Sequence, residues 1–196
     1  MIQPLPSFPP LLPSGDWWIK RLEALVNGVS REESIIVANN VSRLKSREWM
    51  RFRVADRSFG ETMLSMPVVH GASALKNRPP ESWRIADSPS GLRKLDSTLA
   101  TLYGHTPFYH LIAPELSLKD TALKRAEEVC RKLDEAVMRV LGLDNQNMVK
   151  SLEEADFNSA RFASLSEKME SFNPSLSIAD SIFRYGPQTI IKLMLR

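Results

Sequence analysis

The chain is poor in the residues on which easily recognised enzyme sites are built. One cysteine, Cys130, and three histidines stand among 196 residues. A lone thiol cannot close an intrachain disulfide, which suits a reducing compartment. The four residues show no metal-ligand spacing. No Walker loop, dinucleotide glycine pattern, zinc spacing or Gly-x-Ser-x-Gly elbow occurs, so no cofactor and no metal are expected. Neither sign of charge dominates: 26 basic and 23 acidic residues leave +3, too little to argue for a specific nucleic-acid partner. The opening stretch, Met1 to Pro13, lacks a basic start and is broken by Pro4, Pro6, Pro9, Pro10 and Pro13. That pattern fits neither a signal peptide nor a membrane span. No membrane insertion is expected, and the expected location is cytoplasmic.

What is present reads as one domain over residues 1–196, with 43% hydrophobic and 25% charged residues. Residues 1–15 form a Pro-rich extended segment that docks through Leu5, Phe8 and Leu11. A helix is predicted from Asp16 to Asn27, capped by Ser14 or Asp16 and stopped by Gly28. The β-branched run Ser34 to Ala38 predicts a strand. Residues 49–54 alternate, with Met50, Phe52 and Val54 on one face and Trp49, Arg51 and Arg53 on the other. Glu61 to Val69 completes an antiparallel hairpin, and Asn77 to Pro89 is loop with a short edge strand at Trp83 to Ala86.

Helices follow. Leu92, Leu95, Leu99 and Leu102 share a face that ends at Gly104, and Pro107 to Ala113 starts a second helix. Thr121 to Leu141 buries Ala126, Val129, Cys130, Leu133, Val137 and Val140. Residues 144–171 are a polar connector with a weak helical pattern. Ser177 and Asp180 have capping-box spacing, in which the carboxylate reaches back to the cap residue's amide. Gly186 ends that helix and Pro187 opens the next. Strands first and helices after predict an α+β fold, a small, mostly antiparallel sheet packed against C-terminal helices.

Arg51 and Arg53 are the first candidate site. Two guanidinium groups about 6.5–7 Å apart on one strand face can hold a phosphate or carboxylate. The competing reading is a solvated face, or pairing with Glu61 or Glu48. His105 is the catalytic candidate, a loop imidazole able to move a proton. Tyr103 and Tyr109 stand beside it as ligand-binding candidates. Against this, the aromatic residues could simply plug the core. Cys130 reads as core, and Trp17 reads as exposed or at an interface, where its indole could stack on a sugar.

Several segments in order resemble the WbqC-like family of bacterial proteins. They are Leu5-Pro6-Ser7-Phe8-Pro9-Pro10, Arg51-Phe52-Arg53-Val54, Leu64-Ser65-Met66-Pro67-Val68, Tyr103-Gly104-His105-Thr106-Pro107-Phe108-Tyr109, Leu141-Gly142-Leu143 and the C-terminal stretch Pro174 to Pro187. Asn39-Asn40 stand where the family often has acidic residues. The family's Trp and His upstream of the Tyr block have no counterpart near Gly91 and Leu95. The resemblance implies a place in cell-surface polysaccharide (O-antigen) biosynthesis. It implies either an acyl or aminoacyl transferase acting on an amino sugar or nucleotide sugar, or a non-catalytic binding or scaffold member that has lost its active residues. The implied partner is an anionic small molecule, a nucleotide sugar or acyl donor. Whether the chain is an enzyme, and its oligomeric state, stay open at this level.

Overall fold

The computed structural model describes residues 5–56, 60–86, 88–119, 123–143 and 172–194. The fold is α+β, with one small antiparallel sheet in the N-terminal half and helices around it. Helix α1 spans Gly15–Val26 and α2 spans Arg31–Ser42. The hairpin is β1, Arg51–Asp56, and β2, Gly60–Ser65. Then come α3 (Gly71–Asn77), α4 (Ser88–Tyr103), α5 (Tyr109–Leu116), α6 (Ala126–Val140), α7 (Ile178–Tyr185) and α8 (Thr189–Met194). The connector 144–171 and its helical pattern lie outside the described residues.

The segment expected as a strand at Ser34 to Ala38 is the middle of α2. Ser30 caps this helix by accepting the Glu33 amide at 3.3 Å, and its hydroxyl donates back to the Glu33 carboxylate at 2.8 Å. A sound start signal and contact with α1 outweigh the β preference of Ile35, Ile36 and Val37. Trp49 also departs from expectation. It lies in a 3-10 turn, Ser46–Met50, and is fully buried, its indole N–H pointing at the Phe8 carbonyl. The hairpin alternation therefore begins at Arg51, with Phe52 and Val54 inward and Arg51 and Arg53 outward. The second strand stops at Ser65, and Val68 makes only an isolated bridge to Ile85. Residues 71–77, of which only Asn77 is expected as loop, form α3. Helix α6 starts at Ala126, later than expected, because Arg125 is held in an isolated bridge with Arg84.

From Phe8 on, the Pro-rich opening is a buried strap, whereas Leu5, expected to dock with it, is exposed. Phe8, Leu11 and Leu12 are buried, and Phe8 meets Trp83 edge-on at 6.2 Å. Asn39 fastens the strap to α1 and α2. Its amide nitrogen donates to the Pro6 and Phe8 carbonyls at 3.0 and 3.1 Å, while its oxygen accepts the Trp17 indole N–H at 2.9 Å. Trp17 is thus buried rather than offered to solvent or a sugar. A carboxylate in place of Asn39 could not donate those two bonds.

Arg21 lies under the two tryptophans, 5.5 and 4.9 Å from the Trp17 and Trp18 ring centres. Its guanidinium pairs with Asp134 on α6 and reaches Ser34 on α2. Both members of the pair are buried. Burial pushes the Asp134 carboxyl above the usual range, against the pull of Arg21.

Candidate functional site

The segments picked out by their sequence converge on α7. The Ser177 hydroxyl accepts the Ala179 amide at 3.1 Å and donates to the Leu12 carbonyl at 2.8 Å, and its own amide donates to the Arg53 carbonyl at 2.7 Å. Asp180 therefore does not close a capping box: the amide it would reach is already used by β1. Its carboxylate instead accepts the Tyr103 hydroxyl at 3.0 Å and the Arg184 Nε–H at 3.1 Å, both on Oδ1. The Phe108 amide donates to the Phe183 carbonyl at 3.2 Å. The Phe183 ring centre stands 5.1 Å from both Tyr103 and Tyr109. Gly186 has φ +59°, and a Cβ there would come within 2.6 Å of the Phe108 ring. These motifs make one structural knot that joins the strap, the hairpin and the α4–α5 turn.

This assigns Tyr103 to the core. It is fully buried, and burial together with the Asp180 carboxylate drives its phenol well above the usual tyrosine range. Asp180 is likewise committed to Tyr103 and Arg184. Cys130 lies fully buried, its thiol pushed well up by that burial and by Asp134, with Met50 sulfur at 4.0 Å. It has neither the access nor the thiolate character of a nucleophile.

A groove of about 710 Å³ runs between α4, α5 and α6. Leu99, Pro114 and Leu116 give it apolar walls. Tyr109, His110, Lys119 and Lys132 bring polar groups to it. Helix α5 forms one wall because Asp96 on α4 holds the chain leaving it. That carboxylate accepts the Ser117 hydroxyl at 2.7 Å, the Leu118 amide at 3.0 Å and the Lys119 amide at 2.9 Å. The Tyr109 phenol is raised by burial first and by Asp96 second, so it stays a hydrogen-bond donor at neutral pH. The His110 ring sits edge-on to Tyr109 at 5.5 Å.

Of the five residues singled out by sequence, Tyr109 lines this groove and the other four do not. Arg51 and Arg53 project from the exposed face of β1. Arg53 meets Glu61 at 3.5 Å, a diagonal neighbour across the hairpin, while Arg51 makes no ion pair among the described residues. His105 is exposed in the turn between α4 and α5. Two smaller grooves, of about 290 and 310 Å³, include none of the five. Sequence reading passed over Lys119, Lys132 and Asp96. Lys119 precedes a predicted helix, and Asp96 and Lys132 lie within predicted helices between the residues of their apolar stripes, a placement that marks equally well a solvated surface.

Among the described residues, no group of three or more acidic, histidine or cysteine side chains is placed to hold a metal ion, and no helix is long and apolar enough to cross a membrane. Compared with protein-family models, curated proteins and solved structures, the chain matches none.

Proposed function

We propose that this chain is a WbqC-like protein of cell-surface polysaccharide assembly that binds an anionic, sugar-bearing metabolite in the α4–α5–α6 groove. The observation that carries the proposal is the groove's composition. Lys119 and Lys132 supply positive charge, Tyr109 and His110 supply donors and acceptors, and Leu99, Pro114 and Leu116 supply apolar wall. A nucleotide sugar presents matching parts: a diphosphate for the ammonium groups, hydroxyls for the phenol and imidazole, and flat faces for the apolar wall. The volume falls within the range of about 300–1,000 Å³ usual for small-molecule sites.

If the protein transfers an acyl or aminoacyl group, the sugar amine attacks the acyl carbon, loses a proton and expels the donor's leaving group. In this groove His110 is the group suited to take that proton, and the Tyr109 phenol is suited to hydrogen-bond the acyl oxygen. The arginine strand has no part in this version. A second reading, binding without turnover, is favoured by Asp96: three donors of the chain already occupy the carboxylate that lines the groove, so it holds the loop rather than facing a ligand.

Calorimetric titration with a panel of nucleoside-diphosphate amino sugars tests the assignment. Saturable binding that falls about tenfold in Lys119→Glu and also falls in Tyr109→Phe, which keeps the ring on Phe183, with unchanged melting temperature, supports it. Binding to none of the panel, or binding indifferent to both changes, would reject it. Mass spectrometry of the sugar after incubation with acyl donors separates transfer from binding.

A further inference from the structure

Helix α2 turns Ser34, Ile35, Ala38 and Asn39 inward. Its outer face is not the polar surface that a solvated helix presents. Ile36, Val37 and Val41 stand exposed there at 45%, 37% and 54%, in a band one and a half turns long. Glu33 lies at the N-terminal end of this band, beside Glu32, which is already paired within the chain to Arg131 at 2.9 Å. Arg43, Lys45 and Arg47 lie just past its C-terminal end, exposed and without an ion pair among the described residues. The face therefore reads acid, apolar, base along one axis.

We infer that this face is the contact between two copies of the chain, with the α2 helices packed antiparallel about a two-fold axis level with Ala38 and Asn39. The pattern is complementary to itself when reversed. In that register Ile36 meets the partner's Val41, Val37 meets the partner's Asn40, and Glu33 approaches the partner's Arg43. Every contact occurs twice, as a two-fold interface requires. A parallel pairing would set acid against acid and base against base. An anionic bilayer would welcome the basic end and repel Glu32 and Glu33, whereas a second copy satisfies both ends.

The apolar band is short, so the contact belongs with small interfaces, below about 1,200 Å² in all, which form reversibly. A micromolar monomer–dimer equilibrium follows. The α2 face is separate from the groove, so this inference and the ligand assignment stand or fall independently.

Sedimentation velocity over a wide concentration range at low and moderate salt tests it, with circular dichroism and melting curves to confirm that each variant folds. The expected result is reversible dimerisation that weakens with salt and disappears in the double variant Ile36→Ser, Val41→Ser. Glu33→Lys and Arg43→Glu should each weaken the dimer about tenfold, and the two combined should restore it, because the swapped charges again face each other. A protein that stays monomeric throughout would overturn the inference. So would a dimer untouched by the serine pair, or a charge swap without recovery. Monomers that sediment with phosphatidylglycerol vesicles through Ile36 and Val41 would also overturn it and give the face to lipid.

Discussion

The Tyr103 hydroxyl donates to Asp180 Oδ1 at 3.0 Å across 77 residues of chain, and Arg184 Nε–H donates to the same oxygen at 3.1 Å. This triplet, with Tyr103 and Asp180 buried and Arg184 half-buried, fastens the end of α4 to the first turn of α7. It gives a structural occupation to residues that would otherwise be natural candidates for acid–base work.

Tyr103→Phe should lower stability by about 1–2 kcal/mol, since one buried bond disappears while Arg184 still serves the carboxylate. Urea denaturation measures the change, and binding in the α4–α5–α6 groove should be unaffected. A large loss of ligand affinity at unchanged stability would instead place Tyr103 in a binding site.

Asn39→Asp should destabilise by about 2 kcal/mol or more, although it changes only an amide to a carboxylate. The new oxygen would face the Pro6 and Phe8 carbonyls, which now accept from the amide nitrogen. Asn39→Asp should regain part of the loss in acid, where the carboxyl can donate one bond. Melting curves at pH 4 and pH 7 would show it.

Removing either Arg21 or Asp134 alone should be severe, about 3–5 kcal/mol, because the survivor is a buried charge without its partner. Replacing both with apolar residues, Arg21→Met with Asp134→Leu, should be much milder than the sum of the single changes. A double-mutant cycle by chemical denaturation reads this directly.

Gly186→Ala meets two penalties, a left-handed φ of +59° and the Phe108 ring within 2.6 Å of the added Cβ. A loss of about 2 kcal/mol or more is expected. Adding Phe108→Leu should relieve only the steric share, so the pair should stay less stable than Phe108→Leu alone.

Cys130 gives a pH signature. Its thiol is raised in the folded state, so the folded chain holds its proton more tightly than the unfolded chain does. The resulting stability is complete below the unfolded thiol value of about 8.5 and is lost as pH rises above it. Between about pH 8.5 and 10 the wild-type protein should lose stability faster than Cys130→Ala, by up to about 1.4 kcal/mol per pH unit. Alkylating reagents at neutral pH should modify Cys130 only after denaturant is added.

Much of the helical fold was legible in the sequence, because caps and stops act locally. Ser14 and Ser177 cap where expected, Tyr103-Gly104 ends α4, and the alternation of residues 51–54 holds. Elsewhere two local signals competed. At α2 the Ser30–Glu33 start outranked a β-branched run, and at Trp49 alternation was extended into a turn. The site was much less readable. Arginines two apart on a strand fix a spacing but not a hollow, and Arg53 meets Glu61 because hairpin register makes them diagonal neighbours. Lys119, Lys132 and Tyr109 come together only through the packing of three helices, which no short window of sequence contains.

The Ser177 hydroxyl on the Leu12 carbonyl spans 165 residues. During synthesis, the strap can meet Asn39, Trp49 and Trp83 early, but its C-terminal end at Leu12 lacks the Ser177 partner until α7 emerges. Until then the parts of α1 and β1 that meet α7 lack part of their cover, and the nascent chain exposes apolar surface late into translation. Folding should be late and abrupt, and fragments cut before Ser177 should collect with chaperones or aggregate rather than persist as smaller folded units.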